Sequence, residues 1–135
     1  MPELSSYDYA VVRVVPDLDR AEFMNAGVIL FAKTARALLS RVQLDDARLA
    51  QLAPALDPRL IADHLASFER IAAGGEGAGP IGRLSPSQRF HWLVSPRSTM
   101  IQTSPVHSGL CADPAAELDR LFERLVARAG TSPPG

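Results

Sequence analysis

Apolar residues in the first third of the chain fall into three short runs, each followed by polar or turn-forming residues. Residues 7–15, Y-D-Y-A-V-V-R-V-V, are rich in β-branched and aromatic types and stop at Pro16, which favours a strand. Residues 26–33, A-G-V-I-L-F-A-K, are apolar at both alternating positions, so we predict a central strand covered on both faces. Residues 37–43 predict a third strand, although they could also begin a helix.

The apolar positions that follow have helical spacing. Residues 45–54 predict a short helix that Pro54 ends. A longer helix begins at Asp57, a good capping residue, continues through Pro58 and ends at Gly74. Its apolar residues lie three and four apart: Leu60, Ile61, Leu65, Phe68, Ile71 and Ala72. The sequence therefore predicts two helices after the three strands.

The next segment alternates between turn-forming and apolar residues. Residues 74–89 are rich in Gly, Pro and Ser and predict a mobile loop. Residues 90–94, F-H-W-L-V, alternate in polarity, which predicts a strand with one buried face. Residues 99–103, T-M-I-Q-T, are the expected hairpin partner of that strand.

The last helix has the strongest pattern in the chain. Asp113 and Pro114 repeat the start of the long helix, and Gly130 closes the segment. Leu118, Leu121, Phe122, Leu125, Val126 and Ala129 form an apolar stripe. Charged residues, Glu117 and Arg120 among them, occupy the opposite face and are expected in solvent.

The predicted order is β-β-β-α-α-β-β-α. Runs of strands followed by helices indicate an α+β fold, with a mainly antiparallel sheet of about five strands and helices packed on one face. A chain of 135 residues supports one hydrophobic core and is too short for two. We therefore expect one domain over residues 1–130 and a disordered tail over residues 131–135.

The charge, the cysteine count and the apolar runs of the chain exclude several kinds of partner and site. The net charge of −1 gives no general attraction for nucleic acid or an anionic membrane, so we expect neither as a partner. Cys111 is the only cysteine, which excludes an intrachain disulfide and a cysteine-rich zinc site, and its role stays open. The first residues lack a secretory pattern, and the longest apolar run, Ala26–Ala32, is far too short to span a bilayer. A cytoplasmic protein is expected.

Two polar segments could hold a site. Residues 16–27 would form a long connection that presents Arg20, Glu22 and Asn25 at one end of the sheet. An arginine, a carboxylate and an amide could bind a ligand there. In the alternative interpretation Arg20 and Glu22 pair with the loop backbone or with Arg13 and so brace the loop, Asn25 satisfies a turn, and Gly27 permits close packing.

The second segment, residues 95–109, concentrates hydroxyl groups around Arg97 and His107. Arg97 could bind a phosphate or carboxylate, and His107 could transfer protons near neutral pH. Turns and an exposed edge strand have the same composition, which is the simpler interpretation. No phosphate-binding, dinucleotide-binding or nucleophile motif is present, so we assign no catalytic residue, metal or cofactor.

The N-terminal residues also carry a recognisable signature, Y-x-Y-x-x-x-R-x-x-P followed by R-x-E-F-x-N-x-G-V. It resembles the opening of an uncharacterised bacterial family, a domain of unknown function of about this length. The matching positions are Tyr9, Arg13, Pro16, Arg20, Glu22, Phe23, Asn25, Gly27 and Val28. The resemblance implies no established activity. It implies a protein partner, since members are encoded beside kinase-like proteins similar to toxin kinases.

Two hypotheses of function follow. The first is a small binding or interaction module without catalytic activity that acts with a partner protein. The second is an enzyme or binding protein for an anionic small molecule, with a cleft formed by the 16–27 and 95–109 segments. Its lining would be Arg13, Arg20, Glu22, Asn25, Arg97 and His107.

Overall fold

The computed structural model describes residues 3–17, 20, 22–96 and 99–127. The strands are β1 (Ser5–Asp17), β2 (Glu22–Ala32), β3 (Ala37–Val42), β4 (Ile101–Thr103) and β5 (His107–Cys111). The helices are α1 (Asp46–Leu52), α2 (Pro58–Ala73), α3 (Pro86–Val94) and α4 (Pro114–Phe122). A 3₁₀ helix spans Glu76–Arg83, and a π-helical turn, Glu123–Ala127, continues α4.

The five strands form one antiparallel sheet, which confirms the predicted α+β fold. β1 lies at its centre, with β2 along one side and β3 beyond β2. On the other side, β5 pairs with the first half of β1 and β4 with the second half. The strands first suggested by the apolar runs are therefore consecutive neighbours, and the last two strands complete the sheet around β1.

Helices cover both faces of the sheet, so the prediction that they pack on one face is wrong. The first face carries α1, α2 and α3, which bury Leu49, Leu65 and Phe90 against alternate residues of β1 and β2. The second face carries α4, whose Leu121 and Phe122 pack against the strand residues whose side chains point to that face. The prediction of a central strand covered on both sides is confirmed, since three consecutive β2 residues, Val28, Ile29 and Leu30, have no exposed surface.

The paired strands β1 and β2 extend into most of the predicted 16–27 loop, and β2 contains a β-bulge there. β1 continues to Asp17 and β2 already begins at Glu22, so the connection is much shorter than expected. The register passes from Val12↔Gly27 to Arg13↔Asn25, which leaves Ala26 as the extra residue. In the part of β2 that precedes the bulge, each side chain therefore points to the opposite face of the sheet from the one that uninterrupted alternation along the strand would predict.

Gly27 occupies a position where β2 and β3 approach closely. A Cβ atom there would lie 2.5 Å from Val42 Cγ1 and 2.9 Å from the Arg41 carbonyl oxygen. Only glycine fits this contact without displacing β3, as the close-packing interpretation of the motif expected.

Residues 90–94 are helical, so the strand predicted there is wrong. Ser85 and Gln88 form a capping box at the start of α3, and Pro86 occupies the first turn. Phe90 and Leu93, three residues apart, are the buried pair, whereas Trp92 is 38% exposed. The alternation of aromatic residues thus misled the assignment, although the S-P-S-Q start signal was present.

The last part of the sheet also differs from expectation. β4 lies within the predicted 99–103 strand, but it pairs with β1 rather than with residues 90–94. β5 was not predicted, because His107–Cys111 contains polar residues and a glycine. The start of the last helix at Pro114 is confirmed, while Gly130 and the predicted tail at 131–135 lie outside the described residues.

The connector after α2 is organised by Arg89. This buried arginine donates hydrogen bonds to the carbonyl oxygens of Ile71 (2.9 Å), Leu84 (2.6 Å) and Ala72 (3.3 Å). Gly74, at φ 76°, leaves the space that the guanidinium occupies. The segment predicted as a mobile loop therefore contains the 3₁₀ helix and is tied to the end of α2.

Candidate functional site

Arg13 and Asn25 face each other on β1 and β2, on the side of the sheet that α4 covers. The bulge at Ala26 causes this placement, because without it Asn25 would point toward the opposite core. Of the six candidate ligand-binding residues, these two are directly opposed across paired strands. We call Arg13, Asn25 and the nearby Phe23 the Arg13 cluster.

Arg13 is partly buried and stacks on an aromatic ring. Its Cζ atom lies 4.2 Å from the centroid of the Phe23 ring, a cation–π contact. Its Nε is buried without a hydrogen-bond partner. Among the described residues no carboxylate pairs with this guanidinium. Stacking on Phe23 therefore positions the positive charge of Arg13.

Asn25 connects the sheet to the end of the last helix. Its Nδ2 donates a 2.9 Å hydrogen bond to the carbonyl oxygen of Leu125, while its Oδ1 is buried without a partner. Asn25 also lines a cavity of about 320 Å³ beyond the end of β3. The other lining residues are Met24, Gln43, Leu44, Asp45, Asp46, Arg48, Val126 and Ala127. Asn25 thus has a structural role and also reaches an open space.

Arg20 and Glu22 form an ion pair with 2.5 Å between Nε and Oε1. Both side chains are substantially exposed, at 70% and 39%, so the pair contributes little to stability. The two residues pair with each other here, whereas the alternative interpretation had placed them against the loop backbone or Arg13. Their charges largely neutralise each other at the β1–β2 connection.

His107 lies on β5, opposite a part of β1 that is distant from Arg13. It pairs with Tyr9, and the two rings are tilted by 34° with their centroids 5.3 Å apart. Tyr9 precedes Arg13 by four residues, which corresponds to about 13 Å along a strand. His107 is exposed and belongs to the β5 edge rather than to the Arg13 cluster.

The described residues of the 95–109 segment contain β4 and the start of β5, joined by irregular residues, and Arg97 lies outside the described residues. A second cavity, of about 280 Å³, runs beside β4 and is lined by Val94, Ser95, Pro96, Gln102, Thr103, Ser104 and Pro105. Ser104 is buried, and its hydroxyl accepts from the Val11 amide and donates to the Pro105 carbonyl. This hydroxyl, one of those concentrated in the 95–109 segment, is thus hydrogen-bonded to backbone groups.

A partly buried network that the sequence did not reveal joins β1 to α4. Tyr7 donates a short hydrogen bond to Glu117, and Arg120 donates two bonds to the same carboxylate at 2.8 and 2.7 Å. Gly109 on β5 leaves room for the phenol, since a Cβ there would lie 2.7 Å from the Tyr7 hydroxyl. Glu117 is therefore a cross-element contact and not the solvent-facing residue that the helix pattern predicted.

The ionisation of this network follows from its contacts. The hydrogen bonds from Arg120 lower the pKa of Glu117 to about 2, despite the opposing effect of burial. Burial, followed by the hydrogen bond to Glu117, raises the pKa of Tyr7 to about 12. Burial likewise raises the pKa of the Cys111 thiol. Tyr7 stays a neutral donor, and Cys111 is a packed thiol without the lowered pKa of a reactive one.

Two broader features of the described residues bear on the class of protein. They contain no cluster of three or more His, Cys, Asp or Glu side chains that could hold a metal ion. In the same part of the chain, no helix combines the length and apolar character needed to cross a membrane.

The fold and the Arg13 cluster define a small α+β domain built around a bulged β-hairpin. Residues 9–126 match the protein family of unknown function DUF3037, so the chain belongs to that family. The family resemblance seen in the sequence is thereby confirmed. No curated protein and no solved structure matches the chain.

Proposed function

We propose that this protein is an interaction module that binds a partner protein along the outer edge of β5. The observation that carries the proposal is the pair Leu4 and Leu110, each 64% exposed at the same end of the sheet. Leu110 is opposite Ser6, and Leu4 is next to Ser5, which pairs with Cys111. Two adjacent leucines with this exposure mark an apolar contact surface more strongly than scattered single residues do.

The backbone of β5 supports the same surface. β5 pairs with β1 on one side, and no described strand pairs with its other side. Natural proteins commonly protect such edges with lysine, proline or a bulge. The five residues of β5, H-S-G-L-C, contain no lysine or proline, and their register with β1 is regular. An extended segment of a partner could therefore add to the sheet by backbone hydrogen bonds.

Polar groups surround the leucines on the same face. Asp8 accepts a 2.7 Å hydrogen bond from Ser108 and pairs with Lys33 at 3.3 Å. An apolar centre with a polar rim is the usual anatomy of a protein interface. The partner segment should therefore place apolar side chains over Leu4 and Leu110 and polar groups near Asp8 and Lys33.

The experiment is affinity retrieval of the tagged chain from its native host, with matched variants. We expect wild type and L60E to retrieve the same protein, because Leu60 is also exposed, at 47%, but lies on α2. The double variant L4E/L110E should lose it by at least tenfold while keeping a native circular dichroism spectrum. A kinase-like protein is the first partner to look for, as the family resemblance implies.

Two outcomes would contradict the proposal in different ways. Repeated retrieval of no specific protein would argue against an interaction module. Equal retrieval by L4E/L110E and wild type would keep the interaction but reject the β5 surface.

A further inference from the structure

Arg13 is a partly buried cation without a counter-charge among the described residues. Its guanidinium stacks 4.2 Å from the Phe23 centroid, and its Nε makes no hydrogen bond. A partly buried charge is usually paired, because removing it from water is costly unless an opposite charge or several hydrogen bonds compensate. Arg13 has neither.

A second arginine in the same fold makes a comparable stacking contact. Arg41 stacks on Phe122 at 4.1 Å, a nearly identical contact. Unlike Arg13, it is flanked by carboxylates, with Asp119 at 3.1 Å and Glu123 at 3.8 Å. The two stacked arginines therefore differ in their charged neighbours, because among the described residues no carboxylate pairs with Arg13.

The surroundings of Arg13 indicate which kind of ligand would pair with its charge. Stacking holds the guanidinium plane in place, so little conformational freedom is lost when a ligand binds. The Nε atom is closed off, which leaves the Nη groups as the donors that a ligand can meet. A single guanidinium balances a single negative charge, and its two parallel donors match the two oxygens of a carboxylate. Phe23, 46% exposed, offers an apolar surface beside it.

We propose that the Arg13 cluster is a binding site for a carboxylate attached to an apolar body. The guanidinium of Arg13 donates to the carboxylate oxygens, and Phe23 contacts the carbon skeleton. The ligand is either a small organic acid or an acidic residue within a peptide. This site lies on the α4 side of the sheet and does not depend on the β5 surface.

The test follows the Nε–H cross-peaks of arginine in ¹⁵N–¹H spectra of the full chain. Benzoate, acetate, inorganic phosphate and a blocked Gly-Glu-Gly peptide are titrated separately, with sodium chloride at matched ionic strength as the reference. We expect a saturable shift of the Arg13 cross-peak, with benzoate binding severalfold more tightly than acetate, and no comparable shift for Arg41. Tighter binding of the peptide than of benzoate would identify the peptide as the source of the carboxylate.

Four variants make the assignment specific. R13Q should abolish the benzoate-induced shifts of nearby backbone amides, whereas R41Q should retain them. N25D places a carboxylate directly opposite Arg13 in the strand register, so it should weaken benzoate binding at least tenfold. F23L should remove the preference for benzoate over acetate.

Several results would overturn the proposal. Equal, non-saturating shifts at Arg13 and Arg41, or the same shifts with chloride, would show charge screening only. Benzoate binding by R13Q at wild-type strength would place any site elsewhere. Binding of inorganic phosphate in preference to every carboxylate would reject the proposed ligand class.

Discussion

Tyr7 donates the hydrogen bond of its phenol to Glu117, across a separation of 110 residues in the chain. Tyr7 lies on the central strand and Glu117 in the first turn of α4. Arg120, one turn further along the helix, binds the same carboxylate from the solvent side. The three side chains hold α4 at one position on the sheet, and their removal has measurable consequences.

The substitution Y7F should lower the free energy of unfolding by about 2 kcal/mol, because a hydrogen bond to a charged group is lost while Glu117 stays mostly shielded from solvent. Urea denaturation at neutral pH measures this change. Y9F is the matched control, since the Tyr9 hydroxyl bonds to no described residue, and it should change stability by less than about 0.5 kcal/mol. An equal effect of both substitutions would contradict a specific role for the Tyr7 hydroxyl.

Glu117 should make the protein sensitive to acid. Its pKa is lowered from 4.5 to about 2 in the folded state, so the folded state favours the ionised form. The resulting stabilisation is present above pH 4.5 and disappears as the pH falls toward 2, a loss of roughly 3 kcal/mol. Denaturation curves of wild type and E117Q, measured between pH 7 and pH 2, should therefore converge at the acidic end. E123Q, at an exposed position of the π-helical turn, should track wild type throughout. If E117Q and wild type stayed equally far apart at every pH, the assignment would be wrong.

G27A should destabilise the protein by about 2 to 3 kcal/mol, because the added methyl group meets Val42 and the backbone of Arg41. Thermal and urea unfolding both report the change. G77A is the control, since the nearest atom to a Cβ there is Arg70 Cδ at 3.9 Å. Combining G27A with V42A should restore only part of the stability, as the Arg41 carbonyl cannot move away without disturbing β3.

R89M should cost about 3 kcal/mol, because three carbonyl oxygens at the end of α2 and in the connector lose their donor. Native-state hydrogen exchange should show the loss of protection first in the last turn of α2. R59M serves as the control, as the Arg59 side chain is 91% exposed and its substitution should be nearly neutral. Uniform loss of protection over the whole sheet would indicate that Arg89 stabilises more than this junction.

Local patterns were enough to predict most of the fold. Val28, Ile29 and Leu30 are apolar in succession, and that property alone predicts a strand between two layers, as observed. The same observation already implied helices on both faces, which the prediction of a one-sided helical layer ignored. Aspartate followed by proline correctly located the starts of α2 and α4.

The assignment of residues 90–94 failed because two signals competed. Alternating Phe90 and Trp92 indicated a strand, while Ser85 and Gln88 indicated the start of a helix. The helix forms because Phe90 and Leu93 complete the core over β2 and β3, whereas Trp92 stays partly in solvent. Tertiary packing decided between two locally acceptable structures.

The Arg13 cluster could be predicted only in part. Its members belong to the N-terminal signature, but a bulge shifts which residues oppose each other, and no local pattern shows that Ala26 is the extra residue. The link between Tyr7 and Glu117 was invisible for a different reason, since it depends on how α4 docks. Sequence alone therefore identified relevant residues without their partners.

The position of β1 affects how the protein can form during synthesis. β1 is followed at once by β2 and β3, whereas β4 and β5, which cover its other edge, are about 100 residues later than its start. At a translation rate of about 5 to 20 residues per second, the nascent chain exposes that edge for roughly 5 to 20 s. The first half of the protein must remain unaggregated during this interval with its central strand open on one side. Ribosome-bound chains ending near residue 96 should therefore be more prone to aggregation and to capture by chaperones than chains that include β5 and α4.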